Sequence, residues 1–347
     1  MLSEPTAPEP PVELVELSVV VPCKNEADNL EHLFERLRQT LDPLGIPYEI
    51  VCVNDGSQDN TLEKLIAFHR QDPRIKVVNL SRCFGKEIAL TAGLDYTSGR
   101  AVVPIDADLQ DPPELIPEML QQWRQGYQVV YAVRRSRQGE SWLKRLTANG
   151  FYWVIEQLSQ VRIPRNTGDF RLLDRQVVEA VKQLRERTRF MKGIFAWVGY
   201  RQVAIFYDRA PRFRGKSQWN YWRLWNLALE GITSFSSWPL RVWSYLGLGI
   251  SVLALLYGLF LVIRTLLFGS DVPGYASLAV MTLFLGGIQL ISLGVIGEYL
   301  GRIFEEVKGR PLYLVERAWG FEAKQALSPL ATQRLASSGG PQAADLG

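Results

Sequence analysis

The chain is poor in sulfur and poorer in imidazole. Its three cysteines, Cys23, Cys52 and Cys83, lie far apart with no C-x-x-C pair, and 347 residues hold two histidines. That scarcity excludes a disulfide-stapled scaffold and a Cys/His zinc centre. The cysteines fall near the ends of apolar, strand-like runs, so buried free thiols in a reducing compartment are expected. A formal net charge of +3 and the lack of a long basic run give no footing for nucleic acid. No N-terminal signal peptide is visible, and no internal repeat. Residues 1–16, rich in Pro and Glu, read as a disordered lead-in.

Charge is missing altogether from two later stretches, residues 243–263 and 275–297. Each is longer than the ~18–20 residues that cross a ~30 Å hydrocarbon core, so a two-helix transmembrane hairpin is expected. Residues 264–274 between them contain G-S-D-V-P-G, a turn composition. Arg223 and Arg241 on one flank and Arg302, Lys308 and Arg310 on the other put both flanks in the cytoplasm by the positive-inside rule. Residues 298–324 then form a cytoplasmic C-terminal segment, and 325–347, rich in Ala, Ser, Gly and Pro, a disordered tail.

The N-terminal half alternates. Residues 17–22 (L-S-V-V-V-P), 48–53 (Y-E-I-V-C-V), 75–80 (I-K-V-V-N-L) and 101–105 (A-V-V-P-I) read as buried strands, with helical stretches near 27–40, 60–70 and from 87 onward. Strands alternating with helices imply βαβ units and a mostly parallel α/β sheet, whose ligands gather at the carboxyl ends of the strands. Polar residues sit at each of those ends: Asn25 and Glu26, then Asp55, then Lys86, then Asp106. A fifth strand, 128–133, runs into R-R-S-R. Residues 141–161 and 219–236 carry tryptophans beside basic residues and suit helices lying in a membrane interface. Residues 141–161 fit an ordinary packed helix equally well.

Residues 102–111, V-V-P-I-D-A-D-L-Q-D, are the centre of this pattern. If the chain leaves its strand still extended, Asp106, Asp108 and Gln110 point the same way and can face one ion. Oxygen ligands with no His or Cys nearby favour Mg²⁺ or Mn²⁺, which complete their shell with substrate phosphates. The plainer alternative is a strand end followed by a helix cap, with Asp111 capping ahead of Pro112-Pro113.

Taken in order, S-V-V-V-P-C-K-N-E, V-N-D-G-S-Q-D, F-G-K-E, D-A-D-L-Q-D-P-P and R-x-x-G-x-S (Arg212 to Ser217) resemble the polyprenyl-phosphate glycosyltransferases of family 2. That family includes dolichol-phosphate mannose synthases and the bacterial bactoprenol glucosyltransferases, and the C-terminal hairpin resembles the bacterial branch. Cys23, Lys24, Asn54 and Gln218 depart from its usual residues. The resemblance implies a GT-A nucleotide-sandwich domain over residues 17–218. Its reaction would be inverting transfer of a hexose from a nucleotide sugar to polyprenyl phosphate, at the cytoplasmic face of a bacterial inner membrane. Donor binding falls to Pro22, Asn25, Glu26, Asp55, Lys86 and Asp106, and the metal to Asp106, Asp108 and Gln110. Arg134, Arg212, Lys216 and Ser217 would grasp the acceptor phosphate, and Asp169 in T-G-D-F-R would orient the sugar or Arg171. UDP-glucose is the expected donor, with GDP-mannose the alternative. A homo-oligomer and a separate flippase stay open as partners. A processive synthase is disfavoured, because Q-x-x-R-W is missing and Q-Q-W-R at 121–124 is in the wrong order. A non-catalytic nucleotide-sugar module is disfavoured by the intact D-A-D-L-Q.

Overall fold

The computed structural model describes residues 14–135, 167–187, 189–208 and 274–321, with scattered positions in 245–268. Eight strands form one sheet in the order β7-β5-β6-β4-β1-β2-β3-β8. Its centre is β1 (Leu17–Cys23), β2 (Tyr48–Asn54), β3 (Ile75–Leu80) and β4 (Ala101–Pro104), all parallel. Every residue of β2 is buried, as expected of a strand covered on both faces. Helices α1 (Leu30–Leu41), α2 (Thr61–Gln71), α3 (Lys86–Tyr96) and α4 (Ile116–Arg124) follow strands one to four in turn. Leu30, Leu33, Phe34, Leu37 and Leu41 of α1 recur at helical spacing and enter the core as one stripe.

The strand after α4 does not simply extend the parallel set. β5 (Val129–Arg134) stands beyond β6 (Thr167–Asp174), which is antiparallel to both β4 and β5. β7 (Gln202–Tyr207) then pairs parallel to β5, with Arg134 opposite Tyr207. Two short helices, α5 (Arg175–Gln183) and α6 (Met191–Trp197), separate β6 from β7. The result is a GT-A-like α/β fold around a mostly parallel mixed sheet.

Glu49 fastens the central strands to one another. Its buried carboxylate accepts from Ser18 Oγ at 2.6 Å and Ser98 N at 2.6 Å, and lies 2.7 Å from Lys76 Nζ. β1, β2, β3 and the turn before β4 therefore share one charged group.

The C-terminal part differs from the sequence expectation in two ways. Helix α7 (Tyr275–Val307) runs 33 residues without a break, so the helix continues ten residues past the end of the charge-free stretch at 297. Its C-terminal turns hold Glu298 and Arg302 in an i,i+4 ion pair at 2.9 Å, and it ends at Gly309, with φ +60°. Within residues 298–324, for which no strand was expected, β8 (Val315–Trp319) joins the sheet antiparallel to β3. Tyr313, 3% exposed, donates to Asp95 at 2.8 Å, and Asp95 also pairs with Arg185. Among the described residues one helix, at Phe284–Val307, is long and apolar enough to cross a membrane, with mean hydropathy 1.4 and none of it buried. Of the other expected span, 243–263, scattered positions are described, each of them helical, and a two-helix hairpin is not seen as such. The interfacial stretches 141–161 and 219–236 and the tail 325–347 lie outside them too. Residues 1–13 of the expected lead-in lie outside the described residues, and Glu16 pairs with Arg124 at 2.9 Å and donates its N–H to the Pro47 carbonyl.

Candidate active site

The strand order reverses at β1, between β4 and β2, and a crevice forms there at the carboxyl ends. Two loops build one wall. Asn25, held at φ +55°, accepts from the Gln58 N–H at 2.8 Å and donates its own N–H to Ser57 Oγ at 3.0 Å. The Glu26 N–H donates to Thr61 Oγ1 at 2.9 Å. Pro22 is the last residue but one of β1, which leads into that wall. Asp55, 2% exposed, accepts from the backbone N–H of Phe84 at 2.6 Å and of Gly85 at 2.9 Å. Gly56 makes that approach feasible: a Cβ there would lie 2.5 Å from the Cys83 nitrogen, and φ is +61°. Cys23 and Cys52 are buried, but Cys83 is exposed on this loop, against expectation, with its Sγ 2.9 Å from Lys24 Nζ. Its strand ends at Leu80, and the loop that follows carries Cys83 to Asp55, whose Oδ2 lies 3.3 Å from its Sγ.

Lys86, the first residue of α3, stands at the centre. Its ammonium lies 2.7 Å from Asp106 and 2.9 Å from Asp169. Burial opposes its charge, but the Asp169 and Asp106 carboxylates outweigh that and hold it above the usual lysine range. Asp169 is likewise opposed by burial, and Lys86, Lys192 and Arg171 bring it down to about 2. Asp106 goes the other way: burial raises its carboxyl, Lys86 lowers it, and the Asp169 charge raises it again. Glu87, beside Lys86, is pushed up to about 8 by burial and the Asp169 charge.

The turn holding Asp106 is not an extended continuation of β4. β4 ends at Pro104, residues 107–108 turn, and Leu109 has φ +60°. Ala107 and Leu109, 3% and 2% exposed, plug the core, and Asp108 between them is buried as well, so burial does not alternate along this turn. Asp108 accepts from the Gln110 N–H at 3.2 Å. Among the described residues no three His, Cys, Asp or Glu side chains converge as a self-sufficient metal centre. Two carboxylates and an amide fit instead a hard cation that takes its other ligands from a diphosphate. One buried oxygen of Asp169 without a hydrogen-bond partner, Oδ1, adds to the anionic character of the crevice.

On the far side, Arg134 at the end of β5 reaches Tyr207 and approaches Asp111. Asp111 does not cap the following helical turn, whose N-cap is Pro112; its carboxylate accepts from the Tyr207 hydroxyl instead. Arg171 is buried, donates to the Gly168 carbonyl at 2.7 Å and lies over the Phe195 ring at 4.3 Å. Burial lowers it to about 10 despite the Asp169 and Glu87 charges. Arg212, Lys216 and Ser217 lie outside the described residues. The structure thus brings Lys86, Asp106 and Asp169 together, with Arg134 nearby. It adds Glu87, Asp111, Lys192 and Tyr207, which the sequence did not single out for this site. Glu87 and Asp111 stood inside quoted motifs; Lys192 and Tyr207 carry no local signal.

A family model described as glycosyl transferase family 2 matches residues 18–182, and a second, described as the GtrB C-terminal hairpin, matches residues 238–303. An uncharacterized glycosyltransferase of Synechocystis sp. is 65% identical over 89% of this chain and 97% of its own. The SfII prophage-derived bactoprenol glucosyl transferase of Shigella flexneri is 48% identical over 88% of this chain and 98% of its own. Among solved structures, a mannosyltransferase from Pyrobaculum calidifontis in complex with GDP-Man and Mn²⁺ is 20% identical. That similarity covers 62% of this chain and 61% of the other, with a TM-score of 0.43.

Proposed function

The chain belongs to glycosyl transferase family 2, and from that premise we propose that it moves glucose from UDP-glucose onto a polyprenyl phosphate at the cytoplasmic face of a membrane. The observation that carries this reading is the meeting of cationic arms and a carboxylate turn at one crevice, with Lys86 within 2.9 Å of both Asp106 and Asp169. Near-full-length similarity to a bactoprenol glucosyl transferase supports the choice of sugar and acceptor.

Pro22, Asn25 and Glu26 line the base and ribose pocket, and Asp55 contributes by holding the loop 83–85 in place. Asp106, Asp108 and Gln110 would hold Mg²⁺ or Mn²⁺, which would supply charge neutralisation to the departing diphosphate. Lys86 adds a fixed positive charge on the same side of the crevice. Arg134, with Arg212, Lys216 and Ser217, takes the acceptor phosphate; arginine suits that task because its planar fork matches phosphate oxygens.

The acceptor needs no general base. A phosphate monoester has a second pKa of about 6, so the attacking oxygen is already ionised near neutral pH. Its lone pair forms the new bond to the anomeric carbon as the bond to the nucleotide's β-phosphate breaks, and the leaving electron pair stays on UDP. No proton moves, and attack opposite the leaving group inverts the centre. Asp169 at about 2 is a poor proton acceptor, which favours a role in orienting Lys86 and the sugar.

The hairpin spans the membrane twice, helix α7 being its second span, and sets the height of the crevice above the bilayer. Two spans are too few for a sugar channel, so moving the product across falls to a separate flippase or to several copies of this chain. The test is purified full-length protein with polyprenyl phosphate and a panel of labelled UDP-glucose, UDP-N-acetylglucosamine and GDP-mannose. UDP release should require both UDP-glucose and the lipid, cease with EDTA and return with Mg²⁺ or Mn²⁺. Turnover with GDP-mannose alone overturns the donor, and release without lipid overturns the acceptor.

A further inference from the structure

Tyr207 ends the outermost described strand of the sheet on that side, and its ring is 5% exposed, packed edge-on to Phe170. A tyrosine there could be plain core, but its hydroxyl is placed between two functional elements. It donates to Asp111 Oδ1 and accepts from Arg134 Nε at 3.2 Å. Asp111 directly follows Gln110 on the turn assigned to the metal, and Arg134 is assigned to the acceptor phosphate. The second Arg134 nitrogen, Nη2, comes within 3.9 Å of Asp111 and would lie 3.1 Å from a Cβ at Gly168. The guanidinium therefore crosses the bare backbone one residue before Asp169.

We propose that Tyr207 is a positioning residue that locks the acceptor-binding Arg134 to the metal-binding turn, so that acceptor phosphate and donor are held in line. The inference rests on the reading of Arg134 above. With Nε taken by Tyr207, Arg134 offers its Nη1/Nη2 edge, an end-on fork for two phosphate oxygens. Burial and the Asp111 charge push the Tyr207 hydroxyl up to about 12, so it keeps the proton it donates across the working pH range. The ring packing fixes the hydroxyl, and the register of β5 against β7, Arg134 opposite Tyr207, fixes its distance from the arginine. Displacement of one reactant by ~1 Å is enough to cost two orders of magnitude in rate.

The experiment compares wild type, Tyr207→Phe, Arg134→Gln and the double variant, with Asp111→Asn as a second probe. Tyr207→Phe removes one oxygen and keeps the packing. It should raise KM for polyprenyl phosphate about tenfold and lower kcat, with KM for UDP-glucose and the melting temperature unchanged. In the double variant the losses should not multiply, because Tyr207 acts through Arg134. Asp111→Asn, whose amide oxygen can still accept from Tyr207, should lie between wild type and Tyr207→Phe. Unchanged acceptor kinetics in Tyr207→Phe, or losses that multiply, overturn the proposal. If Arg134→Gln leaves acceptor KM unchanged, the assignment of Arg134 itself falls, a different result from failure of Tyr207 alone.

Discussion

Lys86 neutralises two carboxylates with one ammonium, and most of the crevice's electrostatics follow from that. Asp106 comes from the turn after β4 and Asp169 from β6, and like charges so placed would repel without it. The carboxylates respond in opposite directions: Asp169 falls to about 2, whereas Asp106 rises, because Lys192 and Arg171 add to Lys86 only on the Asp169 side. Asp169→Asn should therefore loosen the grip on Lys86 and raise KM for the donor, while residual turnover keeps its rate between pH 6 and 9. Steady-state kinetics across that range decides it. Complete loss of turnover with donor affinity intact would make Asp169 a base. At this scale the sequence was informative where motifs are contiguous: Asp106 and Asp55 sit just past a strand, and Lys86 opens the helix after one. Tyr207 was invisible because nothing near it in the chain marks it; its partner Asp111 is 96 residues away.

Among the elements, the strands matter most through what ties them. Glu49 is the clearest case. Burial alone would raise its carboxyl, but Lys76, Ser18 and the Ser98 N–H hold it below the usual range. A folded-state value below the unfolded one means the contribution is fully present above about pH 4.5 and lost as pH falls through the folded value. Glu49→Gln should lower stability by about 2 kcal/mol near pH 7 and flatten the decline as pH falls below about 4.5, as read from unfolding midpoints. A parallel decline in both proteins would show that the acid sensitivity lies elsewhere. β8 is a second tie: it covers the β3 edge, and Glu316 accepts from Asn79, which in turn accepts from Asn54, next to Asp55. A strand of five residues holding Glu316 and Arg317 has little hydrophobic periodicity to announce it, so only pairing with β3 reveals it.

For the molecule as a whole, the long helix and the sheet are one continuous mechanical unit. A 33-residue helix is about 50 Å long, well beyond the ~30 Å hydrocarbon core, so on the proposed reading of α7 as the second span its end would project from the bilayer. The C-terminal end of α7 leads into β8, and the Arg187 backbone N–H donates to Glu306 at 2.7 Å beside that junction. On that reading the crevice would stand at a set height above the lipid. In sealed vesicles, Ser270→Cys, in the connector 264–274, should react with an impermeant maleimide from the face opposite the catalytic domain. The exposed Cys83 should react only from the catalytic side. Labelling of both from one side would refute two spans.

The alternation of buried strands with helices, the apolar stretches and the order of the polar motifs were determined by the sequence alone, because each depends on neighbours within a few residues. Contacts across tens or hundreds of residues were decided only by tertiary structure. It inserted β6 between β4 and β5, brought β8 back to the β3 edge, turned the chain at Asp106 where extension was expected, and set Tyr207 between Asp111 and Arg134. The physical reason is range. Hydrophobic periodicity is a local property of the chain, whereas strand pairing, and the hydrogen bonds that aim a buried arginine, exist only once distant segments have packed together.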